Sequence, residues 1–308
     1  MSLAPEIRAF LEAGAAAGIP QVWEAPLDVV RQNTQSRPAL AGPVEDVKEV
    51  INRFIPGPTA YLPIRIYRPT TDACAPVIIY FHGGGWVLNF LDIYDASLSR
   101  LANQSGATVI SVNYQKAPEH AFPIPFDDCY ATLLWVIKNS EALRIDKDEI
   151  GVAGDSAGGN LASAVALKAR DNGIKLAFQL LIYPATDRDF DSDSYIKHAT
   201  GYGLTKAAME WFWDQYLQGV VHDQNPYAIP QRASNFSSLA PAIFITAQYD
   251  PLTSDSVKYA DALRQAGVTV YYREFEGMIH GFFSNLGVTQ RAVDAIDFAA
   301  AQIRKVYN

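Results

Sequence analysis

Apolar positions along this chain follow two rhythms that take turns. Pro76-Val77-Ile78-Ile79-Tyr80-Phe81 is apolar throughout and rich in β-branched residues, which predicts a strand buried on both faces. Similar short runs recur at Thr108–Tyr114, Ile150–Gly154, Phe178–Tyr183, Ala242–Ala247 and Val268–Phe275. Between them lie stretches with helical spacing: Tyr94–Gln104, Phe126–Lys138, Ala157–Arg170, Ser254–Gly267 and Thr289–Val306. Strand and helix in alternation predict an α/β fold, a mostly parallel central sheet with helices on both faces. Leu62-Pro63-Ile64-Arg65-Ile66-Tyr67 instead alternates with period two, which suits an early edge strand where a proline is tolerable.

Two regions break the alternation. Residues 1–55 hold two amphipathic helix candidates, Pro5–Ala17 and Leu27–Gln35, ahead of a main domain expected over 56–308. The second region, about 185–238, falls between two strands and contains Trp211-Phe212-Trp213-Asp214-Gln215-Tyr216. Four aromatics in six residues are too many for one face of an ordinary amphipathic helix. A helix buried on two sides explains them. So does a cap whose aromatics line an apolar substrate pocket, and the cap is the expectation, with Trp211, Trp213 and Tyr216 as lining residues.

Composition narrows the class. The 308 residues are 49% hydrophobic and 19% charged, ordinary for a globular enzyme with a sizeable core. A formal charge of −8 with no basic stripe argues against nucleic acid as a partner. No apolar run approaches the roughly 20 residues that span a bilayer. Glu6, Arg8 and Glu12 interrupt the N-terminal apolar stretch, so no signal peptide is read there. Cys74 and Cys129 lack metal-ligand spacing and are expected to be free, buried thiols of a cytoplasmic protein.

The chemistry gathers at the ends of the strands. Gly154-Asp155-Ser156-Ala157-Gly158 joins a strand to a helix in the G-x-S-x-G pattern of a nucleophile elbow, a turn so sharp that the serine takes strained angles. Alone the pattern is weak, since glycine-rich turns produce it by chance. A second motif, His82-Gly83-Gly84-Gly85-Trp86, ends the strand at Phe81. Its bare backbone N–H groups suit an oxyanion hole, which needs donors held about 2.7–3.1 Å from developing charge. Gly83, Gly84 and Gly85 are the candidate donors from this loop, and Ala157 supplies another from the elbow.

A serine hydroxyl needs a base within hydrogen-bond reach, and the base needs an orienting acid. In this architecture the order along the chain is serine, acid, histidine. Of the histidines after Ser156, His198 falls in the cap region and His222 in a loop. His280 directly follows the last strand. Asp250 also ends a strand, and nearby Asp255 reads as a helix-dipole residue. The acidic run Asp187, Asp189, Asp191 and Asp193 lacks the pattern of a calcium loop and reads as a solvated surface.

With these motifs assembled, the chain resembles the hormone-sensitive-lipase-like (family IV) carboxylesterases of the α/β-hydrolase fold from about residue 60 onward. The resemblance rests on His82–Trp86, Gly154–Gly159, Asp250-Pro251-Leu252, His280-Gly281-Phe282 and the segment Asn113–Pro123. Gln115 and Lys116 depart from the family's Arg-Leu in that segment. The likeness implies hydrolysis of short-to-medium acyl esters through a Ser156–His280–Asp250 triad. It further implies a cap from both irregular regions and no metal or organic cofactor, and Trp86 beside the glycine loop is a further candidate substrate-binding residue. Rival readings are another acyl hydrolase (amidase, N-deacetylase or lipase) and a non-catalytic ligand-binding protein on the same scaffold. A small-molecule ester is the expected partner, and a homodimer is left open.

Overall fold

A computed structural model describes residues 2–70, 74–219 and 221–307 and places eight strands in one sheet. In chain order these are β1 (Glu49–Pro56), β2 (Tyr61–Arg68), β3 (Ala75–Phe81), β4 (Thr108–Val112), β5 (Ile145–Asp155), β6 (Phe178–Ile182), β7 (Ala242–Tyr249) and β8 (Val270–Ile279). Their spatial order is β1-β2-β4-β3-β5-β6-β7-β8. The β1–β2 and β2–β4 pairs are antiparallel and every later pair is parallel. Every residue of β4 and β6 is buried, as strands covered by helices on both faces must be.

Among the described residues ten α-helices surround the sheet: α1 (Pro5–Ala16), α2 (Leu27–Asn33), α3 (Asp95–Ser105), α4 (Ile124–Lys138), α5 (Ser140–Leu143), α6 (Ala157–Asp171), α7 (Asp193–Lys197), α8 (Lys206–Leu217), α9 (Thr253–Gln265) and α10 (Gln290–Tyr307). Two apolar cores divide them. Leu133, Leu161, Val165, Tyr259 and Leu263 bring α4, α6 and α9 to one face. Leu98, Leu101, Ile296 and Ile303 bring α3 and α10 to the other, where Ile7 of α1 joins them.

The structure corrects the sequence reading in several places. The sheet begins at Glu49, inside the segment expected to be helical and irregular. β1 was hidden because it is an edge strand: Val50 and Phe54 face solvent, and Asn52-Arg53 interrupts the apolar pattern. The strand around Leu62 is therefore second in the sheet. Its Pro63 is tolerated at the end of the ladder with β4, where its carbonyl still accepts the Asn113 N–H at 3.0 Å and only its missing N–H goes unused.

In the inserted region, α8 does have one regular apolar face. Ala208, Met209, Phe212, Trp213, Tyr216 and Leu217 are buried along it, so three of the four aromatics share a side, and Trp211 flanks them. Cys129 is buried as expected, but Cys74 is exposed, and neither is in a disulfide. Asp187 is buried against Arg232 and Lys258, whereas Asp189 and Asp191 lie at the surface in ion pairs with Lys258 and Lys206. Among the described residues, no helix is long and apolar enough to cross a membrane.

Candidate active site

The site forms where β3, β5, β7 and β8 end. β5 runs to Asp155 and α6 starts at Ala157, which leaves Ser156 alone to turn the chain. It does so with φ 57° and ψ −121°, a conformation that non-glycine residues rarely adopt. The turn is possible only because the next strand's end lies against bare backbone. A methyl group on Gly158 would stand 1.9 Å from the Phe81 carbonyl oxygen. The strained angles lift the Ser156 hydroxyl above the sheet, at the start of a fifteen-residue helix.

Two loops deliver its partners. Asp250 directly follows β7, and His280 directly follows β8. His280 Nδ1 lies 2.7 Å from Asp250 Oδ2, and His280 Nε2 lies 2.8 Å from Ser156 Oγ. A carboxylate can only accept, so Nδ1 carries the proton toward Asp250 and Nε2 is left as the acceptor for the serine hydroxyl. Asp250 is fully buried, and its Oδ1 accepts the Leu252 N–H at 2.8 Å, which sets the carboxylate's orientation. The two other histidines that follow Ser156 are elsewhere: His198 packs edge-on against Tyr202 and Tyr249, and His222 against Phe122. Asp255 is buried and accepts the Asp187 N–H, so it is not the acid of this site.

The glycine loop is anchored from below. His82 is fully buried, stacked on Tyr114 with centroids 4.5 Å apart, and its Nδ1–H meets the Gly83 carbonyl at 2.8 Å. Burial, helped by the nearby Lys116 charge, pulls its pKa down to about 3, so the ring is neutral at physiological pH. Tyr114 OH donates to the His82 carbonyl at 2.7 Å. The Gly83 N–H donates to Asp155 Oδ1 at 2.8 Å and to Tyr94 OH at 3.0 Å. It is therefore spent, which removes Gly83 from the expected oxyanion donors. The N–H groups of Gly84, Gly85 and Ala157 make no hydrogen bond among the described residues. The φ values of Gly84 and Gly85, 113° and 60°, give the loop the left-handed path that glycine tolerates.

The aromatics divide differently from expectation. Trp86 is fully buried, stacked on Tyr216 at 4.3 Å and beside Trp213 at 4.5 Å, so none of these three presents surface to a ligand. Helical spacing places Trp213 and Tyr216 on one core face of α8, which sequence alone did not distinguish from a pocket lining. Trp211 is half-buried and packs edge-on against Phe212. Phe212, overlooked among the candidates, lies against the loop itself: a methyl group on Gly85 would come 2.1 Å from its ring. Tyr183 was also overlooked. It holds φ 34° at the end of β6 with its ring 4.6 Å from that of His280.

At the departure from the family segment, Gln115 bonds Asp128 and Thr59, and the Lys116 ammonium donates to Asn113 Oδ1 at 2.6 Å. Arg31 of α2 ties that segment down by donating to the carbonyls of Val87 and Ala117 and to Glu119.

A family model described as the alpha/beta hydrolase fold matches residues 78–284, which holds the serine, the acid, the histidine and the glycine loop. The chain belongs to this family. It is 36% identical to the esterase LipI of Mycobacterium tuberculosis over 286 residues, 91% of this chain and 88% of that protein. It is 34% identical to the ethyl acetate hydrolase of Pseudomonas putida, covering 96% of each. Among solved structures, an ester-hydrolase from the metagenome of Lake Arreo, bound to a bipyridine phosphonate derivative, matches with TM-score 0.95, 38% identity and 99% of both chains. This α/β-hydrolase is a carboxylic ester hydrolase of the hormone-sensitive-lipase-like group.

Proposed function

We propose that the enzyme hydrolyses small-molecule esters of short-to-medium acyl chains, with Ser156 as nucleophile, His280 as general base and Asp250 as its orienting acid. The observation that carries this is the unbroken relay from Asp250 through His280 to a serine on a strained elbow. Ser156 Oγ bonds to the ester carbonyl carbon while its proton passes to His280 Nε2. The carbonyl π electrons move onto oxygen, and the N–H groups of Ala157, Gly84 and Gly85 are positioned to receive that charge. Collapse of the intermediate expels the alcohol, which takes the proton from His280. Water then attacks the acyl-serine by the same route and releases the acid. Each proton has a side-chain carrier, so the reading needs no metal or cofactor.

The N-terminal helices and the insertion between β6 and β7 serve as the cap in this scheme, with the main domain carrying the catalytic loops. Phe212 is its inner wall, because its ring already touches the glycine loop. The −8 charge supports a partner other than nucleic acid, and two unpaired cysteines support a cytoplasmic location.

The test is turnover of nitrophenyl acetate, butyrate and octanoate beside a matched anilide. The wild-type protein should cleave the esters, and Ser156→Ala should not. Faster cleavage of the anilide than of its ester would replace this reading with an amidase.

A further inference from the structure

Asp155 occupies the variable position of the serine motif, where no chemical role requires a carboxylate. It is 4% exposed, and it collects an unusual set of donors for a side chain next to a nucleophile. Oδ1 accepts the Tyr80 hydroxyl at 2.8 Å and the Gly83 N–H at 2.8 Å, and Oδ2 accepts the Tyr94 hydroxyl at 3.1 Å. Tyr80 belongs to β3 and Tyr94 to the single turn before α3, so elements far apart in the chain converge on one carboxyl. Asn89 closes the ring by donating to the Gly83 carbonyl and the Tyr94 hydroxyl, each at 3.2 Å. Burying this carboxyl costs free energy, and burial raises its pKa while the three donors oppose the rise.

Two faces of Gly83 are held at once. Its N–H and its carbonyl are both bonded, and a methyl group added to it would stand 2.4 Å from Asp155 Oδ2. The next two residues, Gly84 and Gly85, have free N–H groups and no side chains of their own to fix them. The Gly84 carbonyl accepts the Val87 and Leu88 N–H groups at 3.1 and 2.8 Å, which ties the loop to its own following turn, whereas the Gly83 N–H ties it directly to the elbow, because Asp155 is covalently adjacent to Ser156.

We propose that Asp155 is a positioning residue for the oxyanion hole, a strut that fixes the glycine loop to the nucleophile elbow through the Gly83 N–H. The inference rests on the esterase reading above and assigns Asp155 no contact with substrate. Its consequence is confined to the charge on the carbonyl oxygen. A loosened loop leaves substrate binding nearly intact and weakens stabilisation of the tetrahedral intermediate, so kcat falls and KM does not.

The experiment compares an oxygen ester with the matching thionoester, in which sulfur replaces the carbonyl oxygen. Sulfur is larger and a poorer acceptor, so a well-formed hole favours the oxygen ester and a displaced hole favours it less. Asp155→Ala should lower kcat about 10- to 100-fold, short of the loss of a donor outright, and reduce the ester-to-thionoester ratio at least roughly five-fold. Asp155→Asn keeps an acceptor for the Gly83 N–H and should hold the ratio within about two-fold of wild type. Gly83→Ala attacks the same contact from the other side and should reduce the ratio as Asp155→Ala does, which keeps the test decisive should the aspartate variant not fold. Equal loss on both substrates, or an unchanged ratio in either disrupting variant, overturns the proposal. Failure of the esterase reading would look different, because Ser156→Ala would then retain ester turnover.

Discussion

Truncating Trp213 and truncating Phe212 should have opposite consequences, although the two residues are neighbours on α8. Trp213 is fully buried between Trp86 and Tyr216, with centroids at 4.5 and 6.1 Å. Removing a buried tryptophan costs about 3–5 kcal/mol through lost transfer energy and the cavity left behind. At about 2.1 cal/mol/K per residue, the unfolding entropy of this chain is roughly 0.65 kcal/mol/K. A loss of ~4 kcal/mol therefore lowers Tm by about 6 °C for Trp213→Ala. Because the ring touches no substrate, the order of preference among acetate, butyrate and octanoate esters should stay as in the wild type. Phe212→Ala removes the ring lying on Gly85, where one methylene of pocket contact is worth about 1–3 kcal/mol. Its kcat/KM ratio for octanoate over acetate should move by about ten-fold or more. Thermal unfolding followed by circular dichroism, with kcat/KM for the three esters, checks both arms. A Trp213→Ala protein with unchanged Tm and an altered chain-length ratio would refute the assignment of Trp213 to the core and of Phe212 to the pocket wall.

Other outcomes follow from the same geometry. His280→Ala should cost on the order of 10⁶ in kcat, and combining it with Ser156→Ala should add little, since the relay works as a unit. More than a few per cent of residual activity in pure protein would disprove the relay. Gly158→Ala should displace the elbow, because the added methyl meets backbone and not a movable side chain. Activity should fall together with stability, the latter by ~1–3 kcal/mol or more by urea titration. Burial and the neighbouring Arg31 charge pull the Lys116 ammonium from 10.5 to about 8. The unfolded chain holds that proton more tightly, so stability rises with pH from about 8 to 10.5 and is lost as pH falls through 8. Lys116→Leu, the residue of the family segment, should then be ~1–3 kcal/mol more stable at pH 7, with its advantage in urea midpoint shrinking between pH 8 and 10. A constant advantage across that range would rule out titration as its source.

The sequence by itself determined the elements whose geometry is local. Gly154–Gly158 makes an elbow because strand, turn and helix are contiguous, and their backbone sterics are settled within a few residues. Asp250 and His280 were legible for the same reason, since each directly follows a strand and parallel strands bring their ends to one edge of the sheet. Tertiary structure alone decided what depends on a partner from elsewhere in the chain. Gly83 looks the same as Gly84 and Gly85 in the motif, yet its N–H is taken by a carboxyl 72 positions away. The apolar face of α8 could be read from spacing once its phase was known, but periodicity tells which residues share a side, not whether that side meets protein or ligand. Trp213 and Phe212 share the buried side of α8, and only the tertiary structure puts the first against Trp86 and the second against Gly85. β1 escaped notice because an edge strand buries little, and the apolar pattern that betrays a strand is written by burial itself.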